Sequence, residues 1–131
     1  GPRQKYSNES GVITIFNEAM INKNPINIYG DGQQIRDFIY VGDVVEIFIK
    51  SLEQNIENEV LNISTNKGTS LIDLFSIMKK IYGYPYDINY KPKRKEDIEK
   101  SILSNEKLLQ KLDNINFISL YDGIQKIREI Y

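Results

Sequence analysis

The sequence contains neither cysteine nor histidine. Their absence removes disulfides, thiolate nucleophiles, imidazole bases and the ligands that most often hold zinc, so neither a metal site nor catalysis by these groups is expected. An excess of charge of one sign is missing too: 17 Lys and Arg stand against 18 Asp and Glu, a formal net charge of −1. So balanced a chain carries no broad positive field. Binding of nucleic acid or of a membrane surface has no electrostatic support, and any anion site must be local. No apolar run approaches the roughly 18 residues of a spanning helix. The N-terminus lacks the charged-then-apolar layout of a signal peptide, and the expectation is a soluble, cytoplasmic protein.

What is there suits one domain with a single core of modest size: 131 residues, 40% hydrophobic and 27% charged. In "SGVITIFNEAMINKNP", Val12, Ile15, Phe16, Ala19 and Met20 recur at helical spacings, which predicts a helix closed by Asn24 and Pro25. "INIYG" predicts a short strand ended by Gly30-Asp31-Gly32, whose glycines permit the positive φ of a chain reversal, and "IRDFIYV" reads as the returning strand. Asp43 and Glu46 form a capping-box pattern at the start of a helix whose buried face is Val45, Phe48, Ile49 and Leu52. "EVLNIS" predicts a third strand. Ser70 with Asp73 opens another helix, turning Leu71, Leu74, Phe75 and Met78 inward until Gly83 and Pro85 stop it.

"YDINYKP" then alternates as a strand, and the polar stretch "KPKRKEDIEKSIL" follows. Two short amphipathic helices centre on Leu108, Leu109 and Leu112, and on Leu120, Ile124 and Ile127. There is no repeat and no low-complexity linker. Helix, strand, strand, helix, strand, helix, strand, strand, helix, helix is an α/β order.

Chemistry-bearing patterns are sparse. Gly30-Asp31-Gly32 opens like a dinucleotide fingerprint, but the next required glycine falls at Ile35 and the motif joins two strands instead of opening a helix; it reads as a turn. No Tyr has a Lys four positions later to lower its pKa for proton transfer, and the nearest case, Tyr90, has Arg94. Arg36 beside the turn can fork onto a phosphate or carboxylate, or simply pair with Asp37 or another surface acid. The cationic "KPKRKED" reads on its own as a solvated loop, since a short basic cluster in an acidic chain is weak evidence for nucleic acid. Free N–H groups at Gly11 and Val12 suit an anion, as they do at every helix start. Tyr29 either walls a pocket for a flat ring or belongs to the core. Asp31, Asp37 and Asp43 make no convincing acid/base pair, because turn and cap roles explain two of them.

Taken in order, "GPRQ", "SGVITIF", "IYGDGQQIRDFIYVGDVVEIFIKSL", "VLNIST" and "KPKRKEDIEKSI" resemble the C-terminal part of the NAD-dependent epimerase/dehydratase family, the extended short-chain dehydrogenases acting on nucleotide-diphosphate sugars. The likeness covers nearly the whole chain and is greatest to UDP-sugar 4-epimerases. The resemblance implies that Arg36 and Arg94 contact the substrate diphosphate, that Asp97 accepts ribose hydroxyls, that Tyr29 lines the base pocket and that the helix start at Gly11-Val12 lies near the sugar-phosphate end.

The same resemblance implies an α/β fold, the C-terminal substrate-binding portion of an extended short-chain dehydrogenase lacking its N-terminal Rossmann dinucleotide-binding core, with residues 1–131 as a single domain. The complete enzyme would oxidise the sugar at C4 with bound NAD and return the hydride to the opposite face. No NAD and no catalytic residue is expected within this chain, because the family's glycine-rich loop, its Tyr-x-x-x-Lys pair and its Ser or Thr lie upstream. The expected partners are a UDP-sugar and the missing N-terminal domain, with a homodimer as one arrangement. A dehydratase or reductase of the same family, a non-catalytic nucleotide-sugar binding module, and an interaction domain retaining an old fold are the other readings. Gly42 stands where the family commonly has an acid, and Glu96 where a glycine is common, which leaves the geometry around Asp97 open. Gly1-Pro2 reads as native sequence, since Arg3 and Gln4 continue the family motif, or as a tag-cleavage scar. "VLNIS" is expected to complete the edge of the dinucleotide-binding sheet, leaving an apolar edge exposed without it.

Overall fold

In the computed structural model, which describes residues 1–4, 6–7 and 10–130, helices and strands gather around two apolar clusters, not the single core expected. Helix α1 (Val12–Ile21) is followed by strand β1 (Ile26–Tyr29), a glycine turn and strand β2 (Ile35–Asp37). Gly30 and Gly32 take φ of 75° and 77°, the left-handed conformation for which glycine carries no Cβ penalty. Helix α2 (Val41–Glu53), strand β3 (Gly68–Ser70) and helix α3 (Leu71–Tyr82) come next, then β4 (Ile88–Lys91), β5 (Lys100–Ser101), α4 (Glu106–Lys111) and α5 (Leu120–Arg128).

The larger core packs α1, α3 and α5 against β1. Phe16 and Met20, Ile26 and Ile28, Leu74, Phe75 and Met78, and Ile124 are all buried there. α3 begins and ends as its sequence dictates. Ser70 Oγ accepts the Asp73 N–H (3.1 Å), and Gly83 closes the helix at φ 69°. β1 alternates, with Ile26 and Ile28 buried and Asn27 exposed, and pairs in parallel with β4 so that Tyr29 stands opposite Lys91. β2 lies between antiparallel β3 and parallel β5, with Arg36 opposite both Thr69 and Ser101.

Four expectations about individual elements are corrected. α2 starts at Val41 with Tyr40 as its cap, so Asp43 is no N-cap; its buried carboxylate instead accepts the Ile118 N–H from a distant loop (3.1 Å). The supposed inner face of α2 is its outer one: Val45, Phe48, Ile49 and Leu52 are 51–80% exposed, while Ile47 is buried against Leu108 and Leu112 in the smaller cluster. The helix carries two apolar stripes, and the described residues cover one. "EVLNIS" forms no strand, because a strand exists through its neighbour's backbone hydrogen bonds and among the described residues no backbone ladder reaches it; side chains tie it down instead, Ser64 Oγ donating to the Leu103 carbonyl (2.9 Å), while Val60 is 84% exposed. "IRDFIYV" is a strand only over β2, since the helix claims the chain from Val41. Among the described residues no helix is long and apolar enough to cross a membrane.

Candidate functional site

The parallel pairing of β1 with β4 decides where the polar residues gather. Tyr29 ends β1 opposite Lys91, so the loop leaving β4 passes over the Tyr29 ring and sets Arg94 on it, with the guanidinium carbon 3.7 Å from the ring centroid. This is van der Waals contact of a cation with an aromatic face. Within the same loop the Asp97 N–H closes a turn on the Arg94 carbonyl (3.3 Å). Glu96 occupies that turn without a positive φ, so glycine is not required there.

A cavity of about 540 Å³ opens on this stack, walled by Val12, Ile15 and Phe16 of α1, Asn27 and Tyr29 of β1, Gln34, Leu71, Arg94 and Asp97, together with Tyr6, Ser7 and Ser10. Tyr29, Gln34 and Asp97 also line an adjoining chamber of about 270 Å³ whose far wall is Asp31, Gln33, Lys93 and Glu99. Four of the five residues singled out in the sequence, Val12, Tyr29, Arg94 and Asp97, thus share one cavity, apolar on the helix side and polar on the loop side. Such a surface suits a ligand with a flat, partly apolar end and hydroxyls or charges elsewhere.

Arg36 is not among the lining residues. Its Nη1 donates to the carbonyls of Ile35 (2.8 Å) and Ile98 (2.6 Å), tying β2 to the segment before β5. Nor does Arg36 pair with Asp37. The Asp37 carboxylate accepts three hydrogen bonds from the loop at 65–66: the Thr65 N–H (3.2 Å) and hydroxyl (2.5 Å) on Oδ1, and the Asn66 N–H (3.0 Å) on Oδ2. The adjacent Arg and Asp thus hold two different segments, Arg36 the one before β5 and Asp37 the loop at 65–66.

Sequence reasoning missed Gln34 and Lys93. Gln34 Nε2 donates to the Tyr29 carbonyl across the glycine turn (2.8 Å), fixing the aromatic residue from behind. Its place within the motif "GDGQQIRD" was the available signal. Lys93 pairs with Glu99 at 2.8 Å on the solvent side of the smaller chamber; the carboxylate raises the ammonium pKa, and the ammonium lowers that of Glu99. Gly42 also finds its reason, since a Cβ there would fall 2.6 Å from Cε1 of the Tyr40 ring. Among the described residues no group of three or more acidic, His or Cys side chains could hold a metal.

The sequence pattern of the NAD dependent epimerase/dehydratase family matches residues 1–64. A putative UDP-glucose 4-epimerase of Methanocaldococcus jannaschii is 37% identical over 131 aligned positions, which take in 97% of this chain and 41% of that protein. Among solved structures, the UDP-glucose 4-epimerase of Thermotoga maritima with UDP-glucose superposes with a TM-score of 0.89 at 41% identity, covering 99% of this chain and 42% of that one. The UDP-glucuronic acid 4-epimerase of Bacillus cereus, in complex with UDP-glucuronic acid and NAD, superposes with a TM-score of 0.86 at 28% identity, covering 99% and 41%. The chain thus spans about two fifths of the length of these relatives. It belongs to the NAD dependent epimerase/dehydratase family and corresponds to the C-terminal part of an extended short-chain dehydrogenase.

Proposed function

We propose that residues 1–131 are a single substrate-binding domain of an NAD-dependent UDP-sugar 4-epimerase, and that the cavity over Tyr29 holds the nucleotide-diphosphate sugar. One observation carries this: Tyr29, Arg94, Asp97 and Val12, far apart in sequence, line one cavity of about 540 Å³. In this reading the base lies by Tyr29, Asp97 accepts the ribose hydroxyls, Arg94 takes phosphate oxygens with its guanidinium fork, and the α1 start at Val12 faces the sugar-phosphate end. Arg36 joins as a second phosphate contact by exchanging its carbonyl partners for the ligand.

The residues of this chain do not fit a nicotinamide dinucleotide. Its Gly-Asp-Gly turn joins two strands, and its longest helices, α2 and α3, open at Tyr40 and Ser70 rather than after a glycine-rich loop. No hydride step is therefore assigned to these residues. The cofactor belongs to the remaining length of the relatives, and that portion is also the natural cover for the exposed stripe of α2.

Titration of the 131-residue chain with UDP and UDP-glucose by calorimetry tests the reading. Removing one charged donor to phosphate costs about 1.5–3 kcal/mol, so Arg94→Ala lowers affinity roughly ten- to a hundredfold, and Asp97→Asn lowers it for UDP more than for inorganic pyrophosphate. Unchanged UDP affinity in Arg94→Ala overturns it.

A further inference from the structure

The Arg94 guanidinium is at contact distance from the Tyr29 ring (3.7 Å to the centroid) and makes no hydrogen bond or ion pair among the described residues. Its side chain is exposed and the ring half-buried, so the ring is the fixed partner and the arginine the movable one. Resting on the nucleotide reading above, we propose that this stack makes the cavity selective for ligands that carry base and phosphate together, because Tyr29 competes with phosphate for Arg94 and Arg94 competes with the base for Tyr29.

The competition follows from geometry. A guanidinium in contact with one face of the ring excludes a planar base from that face. A nucleoside entering alone must push the charge off the ring into water and gains nothing for it. Inorganic pyrophosphate entering alone must draw the fork away and leave the ring uncovered. A nucleoside diphosphate replaces both contacts at once: the base takes the ring face while the phosphates take the fork. The stack is thus lost once for two gains, which couples the two subsites positively and reciprocally. An exposed cation–π contact corresponds to a coupling of about two- to fivefold.

The test crosses two simple ligands with substitutions at the two positions of the 131-residue chain, read by calorimetry. Pyrophosphate binds Tyr29→Val about two- to fivefold more tightly than the unaltered chain, because the fork is released; the β-branched residue keeps the strand. Tyr29→Phe retains the unaltered value, since the ring is retained. Uridine binds Arg94→Ala more tightly by a similar factor. Pyrophosphate affinity in Tyr29→Val that is equal or weaker overturns the inference. If pyrophosphate binding is lost in Arg94→Ala yet indifferent to Tyr29, the phosphate role stands and the coupling alone fails; if the unaltered chain binds no pyrophosphate, both fail. A second readout needs no altered ring. The Arg94 side-chain NMR signal, assigned by its loss in Arg94→Lys, lies upfield through ring current and moves downfield as pyrophosphate is added. A signal already at the ordinary arginine position, or one that stays upfield at saturation, overturns the inference.

Discussion

Replacing Asp37 by Ala removes one carboxylate that serves three donors, two from Thr65 and one from Asn66. Thr65 is half-buried and Asn66 exposed at φ 57°, so the Asn66 N–H can turn to water while the Thr65 donors are left short of a partner. Hydrogen bonds to a charged acceptor contribute about 1.5–3 kcal/mol each. Three that share one turn do not add, and the expected loss is about 2–4 kcal/mol. Against a typical stability of about 5–15 kcal/mol that is a large share. Urea unfolding reads it: with a slope of about 1–3 kcal/mol per molar, the midpoint falls by about 1–2 M. Asp37→Asn keeps an acceptor for Thr65 but turns an NH₂ toward the Asn66 N–H, so its midpoint falls between the two. A shift below about 0.3 M in Asp37→Ala refutes the reasoning, because something other than this carboxylate then holds the turn.

Burial raises the Asp43 carboxyl pKa above its ordinary value, opposed by the Ile118 N–H. A folded pKa above the unfolded one means that this group costs stability at pH 7 and that the cost fades as pH falls through the folded value. Asp43→Asn, which keeps an acceptor for Ile118, is therefore as stable as the unaltered chain at pH 7 or more so, and a loss above about 1 kcal/mol by urea unfolding contradicts this. Glu59, held by Lys107 and Lys111 at 2.8 Å each, has its pKa lowered from 4.5 to about 2. Its contribution is present above 4.5 and lost as pH falls toward 2; Glu59→Gln removes that acid limb, and identical stability profiles between these pH values count against it. On α2, Phe48→Glu with Leu52→Lys lowers concentration-dependent self-association in sedimentation while changing stability by no more than about 1 kcal/mol, as exposed positions do. A drop of several degrees in Tm shows instead that the stripe is covered.

The elements legible in the sequence are those whose signals are local. Ser70, Asp73 and Gly83 define α3 by hydrogen bonds made within its own turns, and the predicted reversal lies at Gly30 and Gly32. The misreadings come from partners distant in sequence. Asp43 and Glu46 have capping-box spacing, yet the Asp43 carboxylate is bound by Ile118, 75 residues away. The apolar stripe of α2 signals burial correctly in kind, but what would cover it is not among these residues. β5 falls in the stretch "KPKRKEDIEKSIL", where the order calls for a second strand, but its two-residue extent is set by β2 lying beside it. In the site, Tyr29 and Arg94 look unrelated along the chain; the register that sets Tyr29 opposite Lys91 joins them.

Chemical-shift mapping of the backbone amides during titration with UDP-glucose asks the nucleotide reading its plainest question. The expected result is a saturable set of shifts centred on Tyr29, Gln34, Arg94 and Asp97, reaching Val12, with α4 and the outer face of α2 unmoved. Shifts centred on that outer face, or none at millimolar UDP-glucose, contradict a nucleotide-sugar site over Tyr29.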